Sequence, residues 1–202
     1  MTVDVVKPDQ AGGLSPTLEV AVREQVDAYL AELKAKEKKR TKRMALIATK
    51  GTLDWAYPPL ILASTAASLG WEVGVFFTFY GLNILHKKKG KKLRVAPLAN
   101  PAMPPPFGLP MPPMANLLGA IPGMTAVGTG VMKKMFKDKG VATIDDLLQA
   151  CIDTDVRLMP CQMTCDVFGY KDSDFIEAAE RPFCGAATFI RFASEADVSL
   201  FV

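Results

Sequence analysis

The chain has 202 residues, half of them apolar, and its 24 basic and 21 acidic residues leave a net charge of +3 at pH 7. That length and apolar content suit one domain with a real core plus an extension, and so small a charge excess excludes nucleic-acid binding driven by overall charge. Four cysteines in such a chain do not make a disulfide scaffold, and Met1–Pro8 lacks the charged-then-apolar layout of a signal peptide, so the reading expects a cytoplasmic, reducing compartment in which cysteines serve packing or chemistry.

Residues 1–41 read as an extension. Ser15-Pro16 resembles a cap followed by proline at the first helical position. Leu18, Val22, Val26, Tyr29 and Leu33 then draw a narrow apolar stripe on a charged helix, which must dock on the domain or on a neighbouring subunit. Residues 42–202 form the α/β body. It opens on a strand, Met44–Thr49, followed by the loop Lys50-Gly51-Thr52, an apolar helix starting or kinked near Pro58, and a strand from Trp71 to Phe79. Strand, loop, helix, strand is a βαβ unit. From Trp55 to Leu85 the only charge is Glu72, a run long enough to cross a bilayer. Pro58-Pro59, Gly70, Gly74 and Gly81 punctuate it, however, and a buried helix followed by a buried parallel strand gives the same pattern. The soluble core is favoured.

Basic residues cluster in Lys36–Arg43 and His86–Lys92. Each patch suits an acidic partner, an anion or a membrane surface, or is simply solvated. Lys92–Ala96 reads as a short extended piece. Residues 97–131 are a proline- and methionine-rich insertion. Proline density forbids a long helix in its first part, and methionine suits surfaces that repack, so this is a lid, an oligomer surface or a membrane contact. Met132–Gly140 then reads as a helix end.

The last third returns to α/β rhythm. Thr143 and Asp146 cap a helix through Cys151, and Val156–Met159 is strand-like. Asp172 opens a short helix over Phe175–Ala179, Ala187–Phe192 alternates like a final strand, and Ser194 and Asp197 cap a terminal helix ending at Val202. The pattern predicts a three-layer αβα sandwich around a mainly parallel sheet of about five strands.

Cys161 follows the Val156–Met159 strand, where reactive groups collect in open parallel sheets. The polar stretch after it is expected to be a loop whose backbone N–H groups can stabilise a thiolate. The alternative for Cys161 is a small buried hydrophobe. Lys50, in the first βα loop, is either a cation near that thiol or an ordinary loop lysine. Cys165 is either a resolving thiol, its Cα about 6 Å from that of Cys161 if the segment is helical, or a packing residue. Cys151 belongs to the core, Cys184 to an exposed turn without a visible partner, and His86 to the surface. One Cys-x3-Cys pair and a single histidine make a poor zinc site, and neither metal nor cofactor is called for.

Together, Ile47-Ala48-Thr49-Lys50-Gly51 with Asp54–Pro59, Phe77–Leu82, Pro122-Gly123-Met124, Cys161-Gln162-Met163 and Ala193–Asp197 resemble the DsrE/DsrF-like family of sulfur-handling proteins, in its larger branch. The resemblance spans residues 44–202 and implies a flavodoxin-like domain that forms homo-oligomers. It implies further that sulfur rides on Cys161 as a persulfide or thiosulfonate, in a sulfurtransferase-like carrier. The implied partners are TusA-like carriers, rhodaneses or heterodisulfide-reductase-like complexes. Cys165 departs from the pattern, which has an apolar residue there. Two other readings stand beside it. One is an anion- or nucleotide-binding module using Thr49-Lys50-Gly51-Thr52 at a helix start. The other is a membrane-associated oligomeric scaffold.

Overall fold

A computed structural model describes residues 16–96 and 121–202. The chain divides into two units, Met1–Arg40 and Thr41–Val202. The described part of the first is helix α1 (Pro16–Lys39), which starts on its proline as expected; Ser15 and most of the Pro/Met insertion, residues 97–120, lie outside the described residues. Along α1 the side chains of Val22, Val26, Tyr29 and Leu33 are exposed.

The second unit is built on four parallel strands, β1 (Arg43–Ala48), β2 (Glu72–Phe77), β3 (Arg157–Pro160) and β4 (Val198–Phe201), in the order β3-β2-β1-β4. Strands β1 and β2 pair from Arg43↔Glu72 to Ala48↔Phe77, and both are buried nearly throughout, which is why they read as continuous apolar runs. Alternate side chains serve opposite layers. Leu46, Val75, Phe77 and Leu158 join Leu60 of α2 (Leu53–Ser68) and Leu148 and Cys151 of α5 (Ile144–Asp153) in the larger core. Ala45, Phe76 and Met159 join Phe189 and Phe192 of α7 (Ala186–Ala193) in the smaller one. The result is the expected three-layer sandwich.

Several elements differ from expectation. Among the described residues the sheet has four strands, not five. The stretch from Ala179 to Cys184 runs beside β3 and makes only isolated parallel bridges, Leu158↔Ala179 and Cys161↔Cys184. The last two elements are exchanged. Ala187–Phe192 lies in helix α7, with Phe189 and Phe192 buried one turn apart and Ile190 exposed between them, while the terminal segment is strand β4, paired from Met44↔Val198 to Ile47↔Phe201. Six residues of alternating type fit either period, and burial of the two phenylalanines against the sheet decides for the helix. Arg43 clamps the far end: its backbone N–H donates to Asp197 at 2.7 Å, and its guanidinium meets Glu72 at 2.7 Å and also pairs with Glu195.

Phe175–Ala179 is not a helix either. A single turn, Asp172–Asp174, precedes Phe175, which is fully buried and bridges His86. The guanidinium of Arg181 donates to the carbonyls of Asp172, Phe175, Ile176, Glu177 and Ala179, which holds the segment as irregular backbone. Helix α2 begins at Leu53 and carries Pro58 and Pro59 inside it. Two further helices are α3 (Leu82–Leu85), a single turn, and α4 (Met124–Asp138), which starts within the expected insertion, on Gly123 in the left-handed region (φ 92°).

Candidate functional site

Parallel strands bring the loops after β1, β2 and β3 to one edge of the sheet. The first two are interlocked. Thr78 and Gly81 donate their N–H groups to the carbonyls of Ala48 and Thr49, both at 3.0 Å. A Cβ on Gly51 would lie 2.0 Å from the Tyr80 carbonyl oxygen, and one on Gly81 would lie 2.2 Å from that of Ala48. Both glycines are therefore required by backbone packing. The third loop is sewn on through threonines. Thr78 and Thr164, both buried, share a hydroxyl–hydroxyl hydrogen bond of 3.1 Å, and the Phe79 N–H donates to Thr164 Oγ1 at 3.3 Å.

Cys161 sits where these elements converge. Its N–H donates to the Phe77 carbonyl at 2.9 Å, and it is the first residue before helix α6 (Gln162–Phe168). The expected polar loop is thus a helix, and Cys161 is only 4% exposed, among Met159, Cys184, Phe189 and Phe192 in the smaller core. Cys165 donates its N–H to the Cys161 carbonyl at 3.0 Å, but its side chain belongs to the larger core. The two cysteines are close in chain and separate in packing.

The structure brings a different cysteine to Cys161. Cys184, expected in an exposed turn, is 4% exposed and bridged to it directly: the Cys184 N–H donates to the Pro160 carbonyl at 2.7 Å, and the Gln162 N–H donates to the Cys184 carbonyl at 3.0 Å. Sequence reasoning missed this partner, along with Thr78 and Thr164. Thr78 lies inside the Phe77–Leu82 segment and Thr164 directly follows Cys161-Gln162-Met163, so a signal for them existed; none pointed to Cys184.

Lys50 is not free over the thiol. Its ammonium lies 3.2 Å from the centre of the Trp55 ring, a cation–π contact. Thr52 caps α2 without a side-chain hydrogen bond, and its Oγ1 is the one buried side-chain polar atom without a partner among the described residues. With Gly51, Lys88, Lys89, Lys92 and Arg94 it lines a cavity of about 410 Å³. His86 is buried, not on the surface as expected. Burial, and then the charges of Lys89 and Lys88, hold its pKa below the usual histidine value against the opposing pull of Asp174. Its Nδ1 accepts the N–H groups of Lys88 and Lys89 at 3.1 and 3.4 Å, which fixes the lysine-rich turn. Among the described residues no group of acidic, histidine and cysteine side chains could hold a metal, and no helix is long and apolar enough to cross a membrane.

Residues 40–201 match the DsrE/DsrF/DrsH-like family. The chain belongs to this family. Over 162 residues, 80% of the chain and 98% of the relative, it is 51% identical to a protein of Allochromatium vinosum named sulfur carrier protein DsrE2. It is also 29% identical over 165 residues, 81% of the chain and 98% of the relative, to the uncharacterized protein YrkE of Bacillus subtilis. Both alignments are long enough to take in nearly all of the DsrE/DsrF-like body.

The other thiols of this DsrE/DsrF-like domain are suppressed by their surroundings. Burial first, then the nearby charges of Cys161, Asp166 and Asp172, pushes Cys165 up to about 12. Burial likewise pushes Cys151, whose thiol faces the Leu60 carbonyl, up to about 11. Burial, followed by Glu180 and opposed by Arg157, raises Cys184. Unfolded, such thiols titrate near 9.0, so the unfolded chain gives up these protons first as pH rises. The stability they contribute is complete below that value and is lost as pH rises toward about 11 to 12. Denaturant melts at about pH 8 and about pH 11 are expected to show this loss, and Cys151→Ala with Cys165→Ala should flatten it. An unchanged slope in the double variant would contradict it.

Proposed function

We propose that this protein is a sulfur carrier. The Cys161 thiolate attacks the sulfane sulfur of a donor, the new S–S bond forms, the donor leaves as its own thiolate or anion, and the sulfur is held until a partner thiol takes it by the same exchange. The load is a persulfide, or a thiosulfonate where the donor supplies a sulfonate-bearing sulfur. The observation that carries this reading is the position of Cys161 directly beyond the carboxyl end of β3, where three loops meet. The name of the Allochromatium vinosum relative supports it. Phe79 and Tyr80 on the β2 loop and Met163 and Val167 on α6, the helix that Cys161 precedes, are exposed and suit an apolar partner surface at this edge. Such a partner has the character of a TusA-like carrier, a rhodanese or a heterodisulfide-reductase-like complex, met in the cytoplasm. Protein loaded with polysulfide and mixed with a TusA-like carrier should pass its extra sulfur to that carrier's cysteine; a load that stays in place with every acceptor tried would contradict the reading.

A homo-oligomer is proposed as well, on the apolar stripe of α1. Sedimentation of the full chain should give an oligomer, and a chain starting at Lys42 a smaller species. A monodisperse full-length monomer would sink the idea.

The cavity beside Thr52 favours a second reading, an anion site. Its lysines and arginine, and a buried hydroxyl without a partner, suit a phosphate- or sulfonate-like group. Calorimetry with inorganic phosphate and with thiosulfate should detect binding that Lys88→Ala with Lys92→Ala removes; no heat from either anion would dismiss it.

A further inference from the structure

We propose that Cys161 and Cys184 form a working dithiol, in which Cys184 discharges the sulfur loaded on Cys161 and leaves a Cys161–Cys184 disulfide. The proposal rests on the sulfur-carrier reading for its substrate, but its geometry stands apart from that reading. Bridged neighbours on adjacent strands lie about 4.8 Å apart, inside the Cα separation of roughly 4.4–6.8 Å that a disulfide tolerates. Cys161 and Cys184 are such neighbours, held by two backbone hydrogen bonds, and their side chains lie in one buried cluster with Met159, Phe189 and Phe192. Cys165, the candidate suggested by spacing, packs into the other core instead.

The position of Cys184 is held from both sides. Upstream, Arg181 gathers the carbonyls of residues 172–179, and Arg157 pairs with Glu180 at 2.6 Å. Downstream, the thiol itself donates to the Gly185 carbonyl at 3.4 Å, at the start of α7. Cys161 is nearly buried from an outside acceptor, whereas Cys184 lies in the same buried cluster.

The step balances without an added oxidant. The sulfur of Cys184, as it gives up its proton, attacks the Cys161 sulfur of the persulfide. The Cys161–Cys184 bond forms, the bond to the outer sulfur breaks, and that sulfur leaves with the electron pair and the proton as hydrosulfide. The two cysteine sulfurs are oxidised to a disulfide and the sulfane sulfur is reduced to sulfide. A carrier that meets no acceptor thus empties itself and closes its thiol until an external thiol reduces it.

The test loads the full chain with polysulfide, removes the donor, and follows free sulfide and intact mass under thiol-free conditions, in wild type, Cys184→Ser and Cys165→Ala. Wild type and Cys165→Ala should release sulfide and yield a linked Cys161–Cys184 peptide, while Cys184→Ser keeps its load at least about tenfold longer, a difference of about 1.4 kcal/mol in barrier. Equal loss in wild type and Cys184→Ser, a linked Cys161–Cys165 peptide, or the extra sulfur found on Cys184 would each overturn the proposal. A second arm treats unloaded protein with oxidised glutathione. The Cys161–Cys184 link should form there as well, and its absence would overturn the pairing even if Cys184→Ser fails to fold. Failure of wild type to load at all, with that link still forming, would count against the carrier reading alone.

Discussion

Phe77→Ala is expected to lower the stability of the domain by about 3–5 kcal/mol. The ring is fully buried on the central strand β2, in the core shared with α2 and α5. Truncation removes most of that apolar burial and opens a cavity which close-packed neighbours cannot fill. For a domain of this size the loss corresponds to a fall in Tm of roughly 10 °C. Thermal unfolding followed by circular dichroism measures it, and a change below about 1 kcal/mol would contradict the packing described. The effect should extend to the site, because the carbonyl of Phe77 receives the N–H of Cys161. Sulfur loading of the variant should therefore become less specific for Cys161 at temperatures where the fold persists.

Cys161→Ser is expected to abolish sulfur loading and transfer while leaving the fold in place. The serine oxygen is a weak nucleophile without an adjacent base, and it forms no persulfide. Serine is close in size to cysteine, so the cavity term is negligible; burying its hydroxyl in an apolar cluster costs about 1–3 kcal/mol. Circular dichroism should stay native. Loading at the wild-type level in this variant would remove Cys161 from the mechanism.

Much of this architecture was legible in the sequence because it depends on local pattern. Strands β1 and β2 announce themselves as apolar runs between turn residues, and Thr143 and Asp146 form the capping box that their spacing suggests. Cys161 was legible as a strand-end residue for the same reason. Apart from the stretch after Cys161, which is a helix where a loop was expected, the failures lie where distant contacts decide. Residues 186–193 carry both periods, and only the sheet surface beneath Phe189 and Phe192 selects the helix. Phe175 begins a plausible helix, yet its ring is buried beside His86 and Arg181, farther along the chain, gathers the carbonyls of the segment. His86 sits among lysines in the sequence, yet rings of Tyr170 and Phe175 enclose it at 5.4 and 6.0 Å. Cys184 is brought to Cys161 by the same irregular segment, which has no periodicity of its own. Spacing therefore pointed to Cys165, four positions on, while the sheet brought in a cysteine from another part of the chain.

The most direct test of the account is to load the wild-type chain with polysulfide, digest it without reductant, and locate the added sulfur by peptide mass. Added sulfur is expected on the peptide carrying Cys161 at short times, before any disulfide forms. Added sulfur confined to a peptide carrying Cys151 or Cys184, or no added sulfur on any cysteine, would contradict it.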